Sequence, residues 1–239
     1  MPLKLRYRVD GLSFIEKINS ENFPGLKSFH SFATVNEQQQ KIIQIAFEQF
    51  RQFGFKNMTV DEIARLSGIS KKTLYELFAD KDELVLESVK FMLAQNSCET
   101  DAVMQSAKNA IEQIVQVLYL MEKMVRGMNT VCYTDLQRHY PDAFRYFKEH
   151  KESYIYNCIA TNLKQGIADG VYREDVDIDI MARFRMESAV LAFHHNIFPQ
   201  EKYDIVKVNY QLFASYMYGV STLKGHKLIT NYLKKYANI

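Results

Sequence analysis

Between Thr59 and Glu83 the sequence TVDEIARLSGISKKTLYELFADKDE sets two short helical patterns on either side of a glycine turn. Thr59 is placed to N-cap the first helix, with Glu62 three residues on to complete a capping box. Val60, Ile63, Ala64 and Leu66 give that helix an apolar side, and Gly68 lets the chain turn. Ser70 can cap a second helix, whose Leu74 and Phe78 face inward together four residues apart. Asp80 then opens a third helix, with Glu83 in the box position. Lys71, Lys72 and Lys81 all fall in first helical turns, where a cation opposes the helix dipole by roughly 0.3–1 kcal/mol each. Folding does not need that placement, but a phosphate-binding surface does. The pattern is a helix-turn-helix, and its expected partner is duplex DNA.

Charge alone does not make that case. Residues 36–93 hold eight Lys/Arg against nine Asp/Glu, a net of −1, whereas a DNA-binding module is often strongly basic. The reading rests on where the lysines sit. If most of the acids lie on the far face, the field at the DNA can still be positive.

With 239 residues, 47% of them hydrophobic and only four prolines, the chain can bury a large core built from long helices. No window reaches the ~18 continuous apolar residues of a membrane span. The N-terminus lacks an apolar core followed by a small-residue cleavage site. Cys98, Cys132 and Cys158 are odd in number and widely spaced, which fits a reducing compartment better than a disulfide framework. The expectation is a cytoplasmic protein with no membrane partner and no cofactor.

Three regions divide the chain. Residues 1–35 form an N-terminal extension, with Lys4, Arg6, Arg8, Lys17 and Lys27 and a Pro24-Gly25 breaker. It reads either as a basic arm reaching the DNA backbone or minor groove, or as a tail packed through Phe14, Ile15, Ile18 and Phe23. Residues 36–93 form the helix-turn-helix domain, ending in a helix from Lys81 to about Ala94. Residues 94–239 form a larger helical domain. Here Val103, Ala107, Ile111, Ile114, Leu118, Met121 and Val125 recur at helical spacing. Pro141 suits a helix start, and Tyr154, Cys158, Ile159, Leu163 and Ile167 form a stripe that Gly170 ends. Asp175, Asp177 and Asp179 precede a helix carrying Met181, Phe184, Val190 and Leu191. A further pattern runs from Tyr203 to Val220, and Ser221-Thr222 caps a closing helix ending near Tyr236. No strand-like alternation of any length appears, so the architecture is all-α.

From Gln40 to Phe91 the chain resembles the DNA-binding domain of the TetR family of bacterial transcription regulators. The resemblance runs through Ile42, Ile43, Ala46, Phe47, Phe50, Gly54-Phe55, Thr59, Ile63, Ala64, Gly68, Lys71, Thr73, Leu74, Tyr75, Phe78, Lys81 and Leu84. It implies that the second helix of the motif enters the major groove. Carried over by position, Ser70, Lys71, Lys72 and Thr73 face the DNA, Tyr75 places its hydroxyl on a phosphate, and Lys81 pairs with the backbone. The chemistry agrees, since lysine donates to guanine O6 and N7 and threonine serves either base type. Thr59, at its helix N-terminus, is a further phosphate candidate. Glu76 and Leu77 depart from the aromatic or histidine side chains of many relatives; Glu76 either accepts from cytosine N4 or pairs with Lys72.

The same resemblance implies that the C-terminal domain binds a small-molecule effector and forms a homodimer through helices near 177–196 and 203–222. A two-fold dimer sets its reading helices ~34–36 Å apart, matching a palindromic operator. An inducer that favours another spacing releases the DNA. Met124, Met128, Phe147, Tyr154, Cys158, Phe184 and His194 are the candidate pocket residues, because methionine and aromatic groups suit a plastic apolar pocket. The same residues at helical spacing also suit plain core. His194 and His195 point about 100° apart on a helix, and Asp175, Asp177 and Asp179 lack the glycine and final glutamate of a calcium loop, so no metal is assigned. Nor does any nucleophile elbow, phosphate loop or metal-binding histidine spacing point to an enzyme. The expected function is a ligand-responsive homodimeric repressor released by an apolar or aromatic inducer. The alternative is an architectural or cell-division DNA-binding protein without a ligand.

Overall fold

The computed structural model describes residues 36–236. The N-terminal extension and both of its readings lie outside the described residues. Helix α1 (Glu37–Phe53) is capped by Asn36, whose side chain accepts from the Gln38 amide, and buries Ile42, Ile43, Ala46 and Phe50 along one face. Helices α2 (Val60–Leu66) and α3 (Lys71–Leu77) follow, then α4 (Lys81–Ser106). Ile63 and Ala64 of α2, Leu74 of α3, Phe78, and Leu84, Val85 and Val89 of α4 close over the α1 stripe. Leu66, expected on the inward side of α2, is 45% exposed. Gly68 follows it with φ +69°, in the left-handed region that turns the chain toward α3.

The α4 helix runs well past the expected stop near Ala94. Polar residues such as Gln95, Asn96 and Ser97 do not end a helix by themselves, and no proline or glycine intervenes. The break comes at Ala107–Asn109. Asn109 accepts from the Glu112 amide at 3.0 Å, and Glu112 accepts from the Lys108 amide at 2.9 Å. Val103 therefore belongs to α4, and the stripe assigned to one helix spans two. The Asn109-x-x-Glu112 spacing was the available signal.

The remainder comprises α5 (Ala110–Val125), α6 (Val131–His139), α7 (Pro141–His150), a π-helical turn (Lys151–Ile155), α8 (Tyr156–Ala168), α9 (Ile178–Leu191), α10 (Ile205–Val220) and α11 (Leu223–Tyr236). Pro141 starts α7 as expected. The π turn carries α7 into α8 without a break, where the sequence suggested separate stripes. Among the described residues the only strand-type pairing is a single bridge between Tyr172 and Ser221, so the fold is all-α.

Two cores result. The first takes in Cys132, Leu136, Tyr140 and Ala143 of the α6–α7 region together with α1–α4, so the helix-turn-helix domain, the head of the molecule, is completed by residues ~80 positions further along the chain. The second packs α5, α8, α9, α10 and α11 around Ile111, Leu163, Tyr172, Phe213, Met217 and Ile229. Tyr172 fills it at 1% exposure and lies against α8 at Gly166, where a Cβ would meet the ring at 2.0 Å. Its hydroxyl donates to Asn162 Oδ1 at 2.9 Å, while Asn162 Nδ2 donates to the Ala110 carbonyl at 2.8 Å and Gln113 Oε1 at 2.9 Å. Buried polar groups paired in this way hold helices in one register.

In α9 the buried residues are Ala182, Arg185, Met186, Ser188 and Val190. Of the apolar residues expected on this helix, Val190 is buried and Met181 packs against the second core, whereas Phe184 is 53% exposed. The helix has apolar residues on two faces, and hydrophobicity alone does not say which one meets the rest of the chain.

Candidate nucleic-acid interface

In the turn between α1 and α2, capping chemistry places the side chains. Thr59 Oγ1 accepts from the Glu62 amide at 3.3 Å, and Glu62 Oε2 accepts from the Thr59 amide at 2.9 Å and the Thr59 hydroxyl at 2.7 Å. These Thr59 bonds hold the Glu62 carboxyl below the usual glutamate range. The Thr59 hydroxyl proton is thus already committed, while its residue stays exposed at the helix end.

Only Leu74 of α3 is buried, and it anchors the helix to the core. Lys71, Lys72, Tyr75 and Glu76 are exposed, and Thr73 is half-buried. Ser70 Oγ accepts from the Thr73 amide at 3.0 Å and lies 2.9 Å from Thr73 Oγ1. The far end of α3 is pinned from α1, where Gln39 Nε2 donates to the Leu77 carbonyl at 3.1 Å. A short helix fixed at both ends presents its outer face as a rigid unit.

The acids do not all lie on the far face. Asp61 of α2 is 2.8 Å from Lys71 Nζ, and this hydrogen-bonded partner raises the lysine above its ordinary range. Glu76 Oε1 is 3.8 Å from Lys72 Nζ, in favour of the ion-pair reading for that residue. Both pairs are exposed, so each opens at little cost when a phosphate competes for the lysine. Lysine 81 is held differently. Its Nζ donates to the Lys56 carbonyl at 3.3 Å and lies 5.6 Å from the centre of the Tyr140 ring. Burial lowers its pKa, with Asp135, Asp82 and Glu62 acting in the opposite direction. Of the seven candidate DNA-facing residues, Lys81 is the one tied to the body.

That tie is part of a wider latch. Asp135 of α6 accepts from the Lys56 amide at 3.0 Å, and the Tyr140 hydroxyl donates to the Phe55 carbonyl at 3.2 Å. Arg51 Nη1 donates to the Met124 carbonyl at 3.1 Å, and the Asn129 amide donates to the Arg51 carbonyl at 2.8 Å. Gly54, at φ +89°, lets the turn come close enough that a Cβ there would meet Val131 and Asp135 at 3.0 and 3.1 Å. These contacts tie α6 and its neighbours to the loop that leads into α2. Asp135 and Tyr140 escaped the sequence reading because nothing near them in the chain marks a partner 79 or 85 residues away.

The seven candidate pocket residues fall in separate places. Phe147 and His194 both pack on Tyr133, with ring centres 6.2 and 5.8 Å apart, and Met128 packs against the head's core. Met124 receives Arg51 on its carbonyl. The Tyr154 hydroxyl donates to Asp101 Oδ1 at 2.5 Å and to the Ser97 carbonyl at 2.8 Å, and Cys158 is close enough to Tyr154 that the two perturb one another. Phe184 lies outside, stacked on Tyr216. His195 Nε2 is 3.0 Å from Thr130 Oγ1. Among the described residues no group of three His, Cys, Asp or Glu could hold a metal. Burial pushes the thiols of Cys98, Cys132 and Cys158 up to about 11, 12 and 11, which disfavours the reactive thiolate.

Residues 42–88 match the family described as bacterial regulatory proteins, tetR family. A transcriptional repressor from Mycolicibacterium smegmatis, KstR2, is 25% identical over 150 residues, covering 62% of this chain and 73% of its own. KstR2 of Mycobacterium tuberculosis is 26% identical over 153 residues, 63% of this chain and 76% of the relative. The solved structure of that protein, described as a ketosteroid transcriptional regulator, superposes with a TM-score of 0.55 at 24% identity, over 79% of this chain and 97% of the other. The regulator FadR from Bacillus subtilis, solved with stearoyl-CoA, gives 0.61 at 19% identity, over 76% and 98%. No helix among the described residues is long and apolar enough to cross a membrane.

Proposed function

The chain belongs to the TetR family of transcriptional regulators, and from that premise we propose that it is a cytoplasmic homodimeric repressor, without enzymatic activity, of a palindromic operator, released by an apolar effector. One observation carries the DNA half of this reading. Helix α3 is held by buried Leu74 and by Leu77, which packs on the core and is pinned from Gln39, and it turns Lys71, Lys72 and Tyr75 outward from a frame fixed at both ends. Those are the donors that guanine edges and phosphates accept from. On this reading Ser70 and Thr73 stand beside them at the start of the helix, Lys81 and Thr59 flank the groove, and residues 36–93 act as the reading unit of a body that begins near residue 94.

The homodimer is supported by the outer surface of α9 and α10. Ile180 and Phe184 on one helix and Tyr210 and Tyr218 on the other are large, apolar and exposed, as suits a surface that a second copy covers. The effector is supported by the latch, since a ligand in the body that shifts α6 also shifts the loop into α2. The relatives offer a direction for its chemistry. One is described as a ketosteroid regulator and another is seen with stearoyl-CoA.

A second reading, an architectural DNA binder without a ligand, is favoured by one feature: a cleft of the body bordered by α5, α9 and α10 holds only about 10 Å³. Selection of bound duplexes from a random pool at stated salt separates the two. A repressor enriches a short palindrome. An architectural protein enriches nothing and loses its binding steeply as salt rises.

A further inference from the structure

Arg185 is the most anomalous charge in the described residues. It lies on α9 with 5% of its surface exposed, inside the second core. Its guanidinium sits 5.3 Å from the centre of the Phe213 ring, and Nη2 is 3.8 Å from Met121 Sδ. Neither contact neutralises it. Buried arginines ordinarily face a carboxylate, because an uncompensated ion inside a protein is costly. One acid, Glu122, borders the same cleft, but it is taken up by Arg126 just past the end of its helix. Burial accordingly lowers the arginine to about 10.

The cleft that Arg185 lines has apolar walls on two helices, with Glu122, Asn209 and Tyr210 as its other polar members. Leu118, Met121 and Val125 of α5 form one wall, and Val206 of α10 faces them. Asn209 and Tyr210 stand at the same cleft, Tyr210 partly exposed to solvent. A buried cation that makes no ion pair, set in a slot whose α5 and α10 walls are mostly apolar and whose one carboxylate is already paired, matches one kind of ligand. We propose that Arg185 is the anchor of the effector site, and that the effector is an amphipathic anion whose carboxylate or phosphate pairs with this guanidinium while its apolar part lies between α5 and α10. This deepens the effector reading above and rests on it.

The planar fork of arginine suits either acid, since both accept two parallel N–H bonds. The narrowness of the slot makes the ligand part of the mechanism. To enter, it must displace Met121, an unbranched and adaptable side chain, and part α5 from α10. Met124, at the end of α5, holds Arg51 of α1 through its carbonyl, so displacement of α5 reaches the reading head directly.

The test uses the full chain and one apolar tail with three heads: decanoate, decyl phosphate and decan-1-ol. Calorimetric titration reads binding without DNA. At least one of the two acids is expected to bind the protein ten times or more tightly than the alcohol, and the better acid identifies which head the site takes. Arg185→Met, of similar length and apolar, is expected to erase that preference without lowering the thermal midpoint, because it removes a buried ion that nothing compensates. Arg185→Lys keeps the charge but loses the fork, and is expected to retain part of the preference. The inference is overturned if no acid binds, if the alcohol binds as well as the acids, or if Arg185→Met keeps the preference. A midpoint that falls in Arg185→Met, with no preference in the unmodified chain, assigns Arg185 a packing role. Failure of the regulator reading is distinguishable: a protein that shows the head-group preference but enriches no duplex keeps this site and loses the repressor.

Discussion

The reading head and the body use polar chemistry in opposite ways. In the head, polar groups work at helix ends and on the surface, and Ser88 is the only buried polar side chain between residues 36 and 93. The pairs Thr59–Glu62, Ser70–Thr73 and Asp80–Glu83 each join residues three apart. In the body, polar groups are buried between helices. Asn162 reaches Ala110 and Gln113, Asn109 reaches Tyr232, and Glu112 is joined by Lys235 and Tyr236. A head that must present one fixed surface gains from local caps and a dry core. On the proposed reading, a body that responds to a ligand gains from buried charges and hydrogen bonds whose balance a ligand can shift.

Variants of the two regions should therefore fail differently. The largest loss belongs to the head's dry core: Phe50→Ala should cost about 3–5 kcal/mol, read as a fall in denaturant midpoint with an unchanged slope. A gradual loss, with a lowered slope, would mean that the head unfolds apart from the body despite the shared core.

The body's signature should be a dependence on pH. Burial holds the His150 imidazole down at about 4 against an ordinary 6.5. Between those values the unfolded chain binds a proton that the folded one refuses. Stability is then fully present above 6.5 and falls as the pH drops toward 4, by up to about 3 kcal/mol. His150→Phe, which keeps the stack on Tyr154, should flatten that slope in melting curves taken from pH 7 to 4. An unchanged slope would place the titrating group elsewhere.

Smaller effects sharpen the contrast. Asn162→Ala removes the 2.9 Å acceptor of the Tyr172 hydroxyl and the donor to Gln113 Oε1, and should cost about 1–3 kcal/mol; Tyr172→Phe should cost less because Asn162 keeps its donors paired. Thr59→Ala removes only a local cap and should cost about 1 kcal/mol, with amide exchange quickening in α2 and little changed in the body. Glu76→Gln should alter stability by under about 0.5 kcal/mol. By freeing Lys72 it should instead tighten binding to duplexes of every sequence, measured by titration at fixed salt. Sequence-selective tightening would show that Glu76 reads a base.

Caps and periodicity made the helices legible. Thr59, Ser70, Asp80, Pro141 and Asp177 each stand at a helix start, and the all-α class and the helix-turn-helix followed from them. Where the reading missed, it passed over the same kind of signal, as with Asn109 and Glu112 at the start of α5. The seven DNA-facing candidates gather on or beside α3 and the starts of α2 and α4. The pocket candidates do not gather, because composition names residue types that suit a pocket and says nothing about which helices meet.

What the sequence by itself determined was everything decided within one or two turns of helix: where each element begins, which turns glycine permits, and which lysines stand at helix starts. The tertiary structure alone decided which face of α9 is buried, that α6 and α7 complete the head, and that Arg185 is enclosed without a carboxylate. The physical reason is range. A cap is a bond between neighbours in the chain, whereas burial and charge compensation depend on what other helices pack against a residue, as Phe213 and Met121 do against Arg185 and Lys235 does against Glu112.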